Sequence, residues 1–545
     1  MSKFSKIPLY IHTVSHLKPS QVLLRVRRRT GGLTQLKGAP VVCSTAANAD
    51  VSHVPVLPQL DFCPSFLERF NVEQIIGDEI CILHHTEKVD WQESWHEKLS
   101  TPLWRFNLQY FEYLVPLAKA YLNDRDERYL EKGKHIIDCW IEFCPQEKGG
   151  PAWDSYPIAL RIVNWLAFYA EMQSDLAQDA QFVQRMNDSL LQQYAHLSKH
   201  LETDLLANHY LEDLKALTIL ACYFDDRAYF DAVYAELKAQ VAEQMLLDGM
   251  HFELSPMYHK IIFEDLLRVA TCVRAYDSDI DVVTDMRLQG MADCLYSMER
   301  NTNRTPLFND AGDNVAKGKD SLLECAWDAF GVIPQYKNKL DSAGYCFLER
   351  ETANGVVKLI FDAGQVGPDY ALGHAHCDAL SIECFVGGDP WIVNMGTYAY
   401  QDARRLDYKA TCSHSTICVQ GEDQHECWAP FRVARYGKAR LVQADETEAE
   451  AEFTYPSGKN TRRKVRLLED GLEVTDAVSA GQAISVFHIT SGQVIVGVAP
   501  ESTPVSYAPD FGRTAEVCTC QVPFEGTSIV FIPYPHAKRE EGGLK

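Results

Sequence analysis

Histidine, asparagine, tyrosine and glutamate gather in three short stretches of this 545-residue chain, and such residues can bind a charged group and move a proton. LLANHYLEDL sets Asn208 beside His209 within an apolar helical pattern. Asparagine is a poor helix-interior residue, so the pair reads either as part of a site or as a buried hydrogen-bonding pair. DGMHFELSPMYH, punctuated by Gly249 and Pro256, carries His251, Glu253, Tyr258 and His259 just before a helix. A tyrosine serves as general acid or base when donors or positive charge lower its pKa from about 10; otherwise it is packing. GHAHCDALSIE places His374 and His376 at i, i+2, which in an extended segment puts both rings on one face with Asp378 beneath. Asn394 in PWIVNMG and His414 in CSHSTICVQG lie further on. Two histidines and a carboxamide could hold a divalent metal, although zinc more often takes Asp, Glu or Cys as the third ligand.

Two earlier clusters interleave aromatic and polar residues. PLWRFNLQYF supplies Trp104, Arg105, Asn107 and Tyr110, and AWDSYPIALRIVNW supplies Trp153, Tyr156, Arg161, Asn164 and Trp165. Aromatic faces with Arg and Asn suit a sugar ring carrying a carboxylate or sulfate, and equally suit helix packing. PLFNDAGDN, residues 306–314, is an Asp/Gly/Asn turn without the ligand spacing or terminal Glu of a calcium loop.

These residues need a scaffold, and its period changes once. From Trp104 to about Leu340, amphipathic helical patterns such as FNLQYFEYLVPLAKAYL, FVQRMNDSLLQQYAHLSKHL and FEDLLRVATCVRAY alternate with short polar or Gly/Pro breaks. This predicts a stack of antiparallel helical hairpins. After Ser342, GYCFLER, GVVKLIFDAG, PWIVNMG, KARLVQAD, KVRLLEDGLEVTDAV, AISVFHIT, QVIVGVA and SIVFIPY are short, β-branched and aromatic, predicting an antiparallel sandwich of about ten strands. The expected division is a basic segment over 1–90 packing on or preceding the helical domain, helices over 91–340 and a sandwich over 341–545. A long ligand fits the cleft between such domains.

Composition narrows the classes. Apolar residues make up 46% and charged residues 23%, which excludes a mainly disordered or fibrous chain. No apolar run reaches the ~18 residues of a membrane-spanning helix. The net charge of −23 argues against a general nucleic-acid binder. Residues 1–49 are the exception, with eight basic residues and no acid. Such an arm suits a polyanion, a membrane surface or the acidic body of its own chain. The 17 cysteines form no CxxC pair and fit a reducing compartment. The first residues lack a secretory h-region, making cytoplasmic location the default and leaving a periplasmic one open. Oligomeric state is not legible.

Taken together, WRFNLQYF, YPIALRIVNW, ANHYLED, DGMHFELSPMYH, FNDAGDN and GHAHCDALSIE…PWIVNMGTYAY…CSHSTICVQG resemble the heparinase II/III-like polysaccharide lyases in order and spacing, across roughly residues 100–430. The resemblance implies an N-terminal (α/α) toroid followed by an antiparallel β-sandwich, and β-elimination at a uronic acid of an anionic polysaccharide. It implies that Asn208 contacts the uronate carboxylate with His209 as helper, and that Tyr258 and His374 handle the protons. The candidate substrate-binding residues from the clusters above are Trp104, Arg105, Asn107, Tyr156, Arg161, Asn164 and Glu253. No organic cofactor is implied. His376, Asn394 and His414 fall on a structural, zinc-like metal site of the sandwich, where the family commonly has Asp in place of Asn394; losing that charge weakens a dication site. LYIHTVSHLKPSQVLLRVRRR resembles bacterial members found with exopolysaccharide genes. A non-catalytic glycan-binding or assembly protein of exopolysaccharide production is the alternative. A glycoside hydrolase would need two carboxylates flanking the bond; Glu253 and Asp204 are available, but nothing in the sequence pairs them.

Overall fold

The computed structural model describes residues 6–42, 56–58, 70–95, 100–144, 150–490 and 501–535. Helices dominate up to Phe330, strands follow from Lys339, and the architecture is an (α/α) toroid joined to an antiparallel β-sandwich. Among the described residues no helix is long and apolar enough to cross a membrane.

The helix Ala207–Tyr223 packs against Ser155–Glu171, Arg227–Gln244 and Pro256–Tyr276. Its apolar residues occur all round the cylinder, and every residue except His209 is buried. Fully buried leucines such as Leu211, Leu214 and Leu217 each contribute about 1.5–3 kcal/mol of transfer free energy. Lys215 sits inside this packing, paired with Glu212 and, at 2.6 Å, with Asp265. The stretch expected as one helix from Phe106 divides into Pro102–Leu108 and Leu114–Asp124, because Phe111 turns through positive φ (63°) to enter the aromatic core beside Trp95, Trp140 and Trp165.

The sandwich is organised by the 19-residue strand Gly471–Ile489. Its first half pairs with Asn460–Leu467, its end with Asp389–Val393, and both halves with Arg513–Pro533. A register shift between Ala477 and Gln482, with Gly481 at φ 82°, bends the strand between the two layers. KVRLLEDGLEVTDAV, expected as one strand, divides between Asn460–Leu467 and Gly471–Ile489, and its second part runs on without a break into AISVFHIT. QVIVGVA lies outside the described residues. The hairpin His425–Ala429 with Arg432–Tyr436, not anticipated from the sequence, stands apart from the main sheet and forms part of the cleft wall.

The basic segment does not merely precede the toroid. Within residues 1–90 the helices Ile7–His16 and Pro19–Arg29 lie against the rest of the chain, and Glu79–Ile82 and His85–Lys88 form a small hairpin.

Candidate active site

Helix starts and strained turns bring the site together. Asn208 is not in a helix interior: it occupies the first turn of Ala207–Tyr223, after Leu206 and Ala207 at φ 63° and 52°. Tyr258 likewise belongs to a first turn, that of Pro256–Tyr276. Pro256 starts this helix, and the Ser255 hydroxyl accepts from Tyr258 N at 3.2 Å while donating to the Asp310 carbonyl at 2.6 Å. Leu254 (φ 57°) follows Glu253, and Asn309 (φ 54°) precedes Asp310. Non-glycine residues in this region are costly, and their adjacency to the polar cluster is the pattern of a functional site.

GHAHCDA is a loop, not the extended segment anticipated; the strand begins only at Ile382. Its shape comes from the FNDAG turn. Asp310 N donates to the His374 carbonyl at 3.1 Å, His376 N donates to Asn309 Oδ1 at 2.9 Å, and Asn309 N donates to Asp378 Oδ2 at 2.7 Å. Asn309 Nδ2 also donates to Leu254 O at 3.1 Å, tying the turn to the loop that bears Glu253.

Asn208, Tyr258 and His374 converge. Asn208 Nδ2 lies 3.5 Å from His374 Nε2 and donates to the two Glu253 oxygens at 3.0 and 2.9 Å. The Tyr258 and His374 rings are 4.2 Å apart. His374 Nδ1 faces Asp310 Oδ2 at 2.8 Å, so it carries the proton and Nε2 presents a lone pair to the cavity. Asp310, fully buried, also meets His376 Nε2 at 2.8 Å, Thr397 Oγ1 at 3.2 Å and the Arg405 guanidinium. Burial opposes its charge, but Arg405 and the two histidines hold its carboxyl well below the usual range.

The remaining groups have distinct electrostatics. Burial, reinforced by Tyr400, Tyr156 and Asp310, pushes the Tyr258 phenol well above its ordinary value, so it stays protonated. Its leading influences all raise it, the opposite of the lowering expected for a general acid or base, and leave the phenol as a proton donor. Its hydroxyl is 2.8 Å from that of Tyr400. Burial also raises the Glu253 carboxyl, with His374 and Asn208 acting in the opposite direction. His209 points to Glu202, Nδ1 to Oε2 at 2.7 Å; although burial opposes it, that carboxylate raises the imidazole above its usual value.

Asn107 and Tyr156 line the same cavity of about 790 Å³, as do Asn208, His209, Tyr258 and His374. Trp104, Arg105, Arg161 and Asn164 lie outside its wall. Trp104 is a core residue whose indole donates to His85 O at 3.0 Å. Arg161 is fully buried, donating to Gln193 Oε1 at 2.8 Å and Ala152 O at 2.9 Å, and stacks on Trp140. Asn164 Nδ2 donates to Tyr110 O at 2.8 Å. Trp104, Arg161 and Asn164 are thus taken up by packing and backbone contacts, the alternative that their sequence pattern also allowed.

Two of the three expected metal ligands face each other. His376 Nδ1 and His414 Nε2 face each other at 3.1 Å, and the outer nitrogen of His414 faces Ala410 O. Asn394 spends its side-chain oxygen on Ser415 N at 2.9 Å and its Nδ2 on Ser381 Oγ at 3.4 Å. Asp310, a nearby carboxylate, is committed to Arg405, His374 and His376. With His376 Nε2 on Asp310 and His414 Nδ1 on Ala410 O, the two facing nitrogens are both lone-pair atoms, an arrangement two imidazole ligands can share, while Asn394 in place of a carboxylate leaves the set without an anionic ligand. Among the described residues no cluster of three His, Cys, Asp or Glu has metal-holding geometry.

Asp310, Tyr400 and Arg405 are absent from the sequence-based site. FNDAGDN reads as a turn and as one of the family-like motifs, and Tyr400 lies in PWIVNMGTYAY, so both segments are visible in the sequence without their roles. Arg405 had no local signal: its partner Asp310 is 95 residues away in the chain.

A helical toroid and a sandwich with an Asn, a Tyr and a His meeting at their junction define the class. The Heparinase II/III N-terminus model matches residues 68–334 and the Heparinase II/III-like, C-terminal model residues 333–508, and the chain belongs to the heparinase II/III-like family. A heparin-sulfate lyase of Pedobacter heparinus is 20% identical over 366 residues, covering 62% of this chain and 54% of that protein. A heparin-sulfate lyase of Bacteroides thetaiotaomicron is 22% identical over 264 residues, covering 45% of this chain and 37% of that protein. The matches thus span about half or less of these curated relatives. The crystal structure of heparinase III aligns with TM-score 0.65 at 15% identity, over 90% of this chain and 87% of that one. That of a heparan sulfate lyase HepC mutant from Pedobacter heparinus aligns with TM-score 0.56 at 16% identity, over 96% and 90%.

Proposed function

We propose that the protein is a polysaccharide lyase that cleaves a uronic-acid-containing anionic polysaccharide by β-elimination. The carrying observation is the meeting of Asn208 Nδ2 with His374 Nε2 at 3.5 Å, with the Tyr258 ring against the same imidazole. His374 Nε2 has the free lone pair needed to take the C5 proton. The C5–H electrons form the C4–C5 double bond, the C4–O bond breaks, and protonated Tyr258 supplies the proton for the departing oxygen. Negative charge develops on the uronate carboxylate during this step, and Asn208 is placed to donate to it. Burial raises the pKa of the Glu253 carboxyl, which lessens its repulsion of a substrate carboxylate beside Asn208.

The names of the relatives favour a glycosaminoglycan-type uronate; a bacterial exopolysaccharide presents the same carboxylate beside a 4-linked oxygen. The hydrolase alternative gains no support, since Asp204 is occupied by Arg25 and Arg28 while Glu253 is held by Asn208. The test is mass spectrometry of products from a panel of uronate polymers. Elimination gives fragments whose masses sum to that of the parent, with one end unsaturated. Fragments that have gained a water reject the proposal in favour of hydrolysis, and intact polymer throughout the panel rejects both in favour of a binding protein.

A further inference from the structure

The N-terminal arm precedes the span matched by the family models, and it crosses the cleft. The helix Ile7–His16 is fastened to the sandwich: Thr13 Oγ1 donates to Val433 O at 3.0 Å, Trp428 Nε1 donates to Thr13 Oγ1 at 3.0 Å, and His16 Nε2 meets Ala434 O at 2.8 Å. The following helix, Pro19–Arg29, is fastened to the toroid: Arg28 reaches Asp204 at 3.0 Å and Glu202 at 3.3 Å, the latter being the carboxylate that holds His209. Gln21, only 2% exposed, donates at 3.4 Å to both Leu205 O in the toroid and Tyr370 O in the sandwich half.

Three arginines and no lysine line the cavity among the described residues, and two of the three, Arg25 and Arg28, come from the arm. Each keeps about a third of its side chain exposed (34% and 36%), and Arg25 approaches Asp204 only at 3.5 Å, leaving guanidinium donors for a ligand. The cavity volume of about 790 Å³ lies within the ~300–1,000 Å³ usual for small-ligand pockets. A groove that accommodates the interior of a long polymer would continue past the catalytic residues on both sides; here the arm bridges the two walls.

We propose that the segment Ile7–Arg29 forms an end wall of the cleft, that Arg25 and Arg28 receive the acidic group of the sugar next to the cleavage point, and that the protein therefore engages its glycan at a chain end. This rests on the reading of an anionic glycan as ligand and adds where along the chain it is held. Guanidinium groups suit such a role because their planar donors match a carboxylate or sulfate.

The experiment is calorimetric titration of the full chain carrying His374→Ala, which preserves the ligand, with uronate oligosaccharides and polymers of defined length. One protein bound per chain at every length is expected; a stoichiometry that grows with chain length overturns the end wall. Adding R25Q and R28Q is expected to weaken binding about tenfold or more; because the buried Asp204 and Glu202 lose their guanidinium partners, circular dichroism at the titration temperature checks that the variant is folded. Undiminished affinity overturns the assignment of the arginines. Failure of the lyase reading is distinguishable: a wild-type protein that binds chain ends but yields no unsaturated product loses the elimination and keeps the end wall.

Discussion

His374 Nδ1 and Asp310 Oδ2 lie 2.8 Å apart, and this contact fixes which imidazole nitrogen faces the cavity. The same carboxylate anchors Arg405, so the orientation of the imidazole depends on a buried charge pair. Asp310→Asn is expected to lower kcat by about 10²–10⁴-fold with a small change in KM, as when a carboxylate that orients a catalytic histidine is neutralised. Leaving Arg405 without its counter-charge should cost about 3–5 kcal/mol, measurable by thermal or denaturant unfolding. Unchanged kcat in a folded variant would remove Asp310 from the mechanism.

Tyr258 and Tyr400 share a hydrogen bond of 2.8 Å, but only Tyr258 packs directly on the His374 ring at 4.2 Å; the Tyr400 ring is 6.0 Å away. Tyr258→Phe should abolish turnover without loss of fold, whereas Tyr400→Phe should retain measurable turnover. Steady-state rates and circular dichroism on both variants check the assignment. Equal losses in the two would move proton donation from Tyr258 to the tyrosine pair.

The raised pKa of Glu253 gives a signed pH dependence. A carboxyl ordinarily ionises near pH 4.3; burial moves Glu253 upward, so its neutral form persists above that pH and is lost as pH rises through the folded value. Its contribution to stability is likewise complete below the ordinary carboxyl pKa and declines as pH rises through the raised one. Lyase activity should fall on the alkaline side as the carboxylate forms. Glu253→Gln, permanently neutral, should flatten that limb of the kcat/KM profile. A limb of the same shape and position in the variant would assign it to another group.

Asn208 spends its amide on Glu253 in the free protein, leaving the same Nδ2 poised beside His374. If it stabilises charge on the uronate during elimination, Asn208→Ala should lower kcat by about 10²-fold or more. A variant impaired only in unfolding temperature would make the amide a structural link between Glu253 and the helix start.

The period change at Ser342 is legible from local spacing; Asn208, Tyr258 and His374 stand out by residue type, and the family resemblance is what selects them from their neighbours. Asn208 nevertheless looks like a helix-interior residue in the sequence, since nothing in LLANHYL announces that Leu206 and Ala207 take positive φ and begin the helix there. Trp104 and Arg161 belong to patterns that suit a sugar and a helix interface equally, and burial decides for the interface. Asp310 could be found only through its partners: an Asp in a polar turn carries no local mark of the three cationic or imidazole side chains that surround it. The arm is basic in the sequence, but the acids it meets, Glu202 and Asp204, lie more than 170 residues further along.

Ultraviolet absorbance of the conjugated C4–C5 double bond, followed on a uronate polymer that both proteins bind, tests the central claim most directly when wild type and His374→Ala are compared. The wild type should generate the absorbance and the variant should not. Absorbance rising at the same rate in both would contradict proton abstraction by His374.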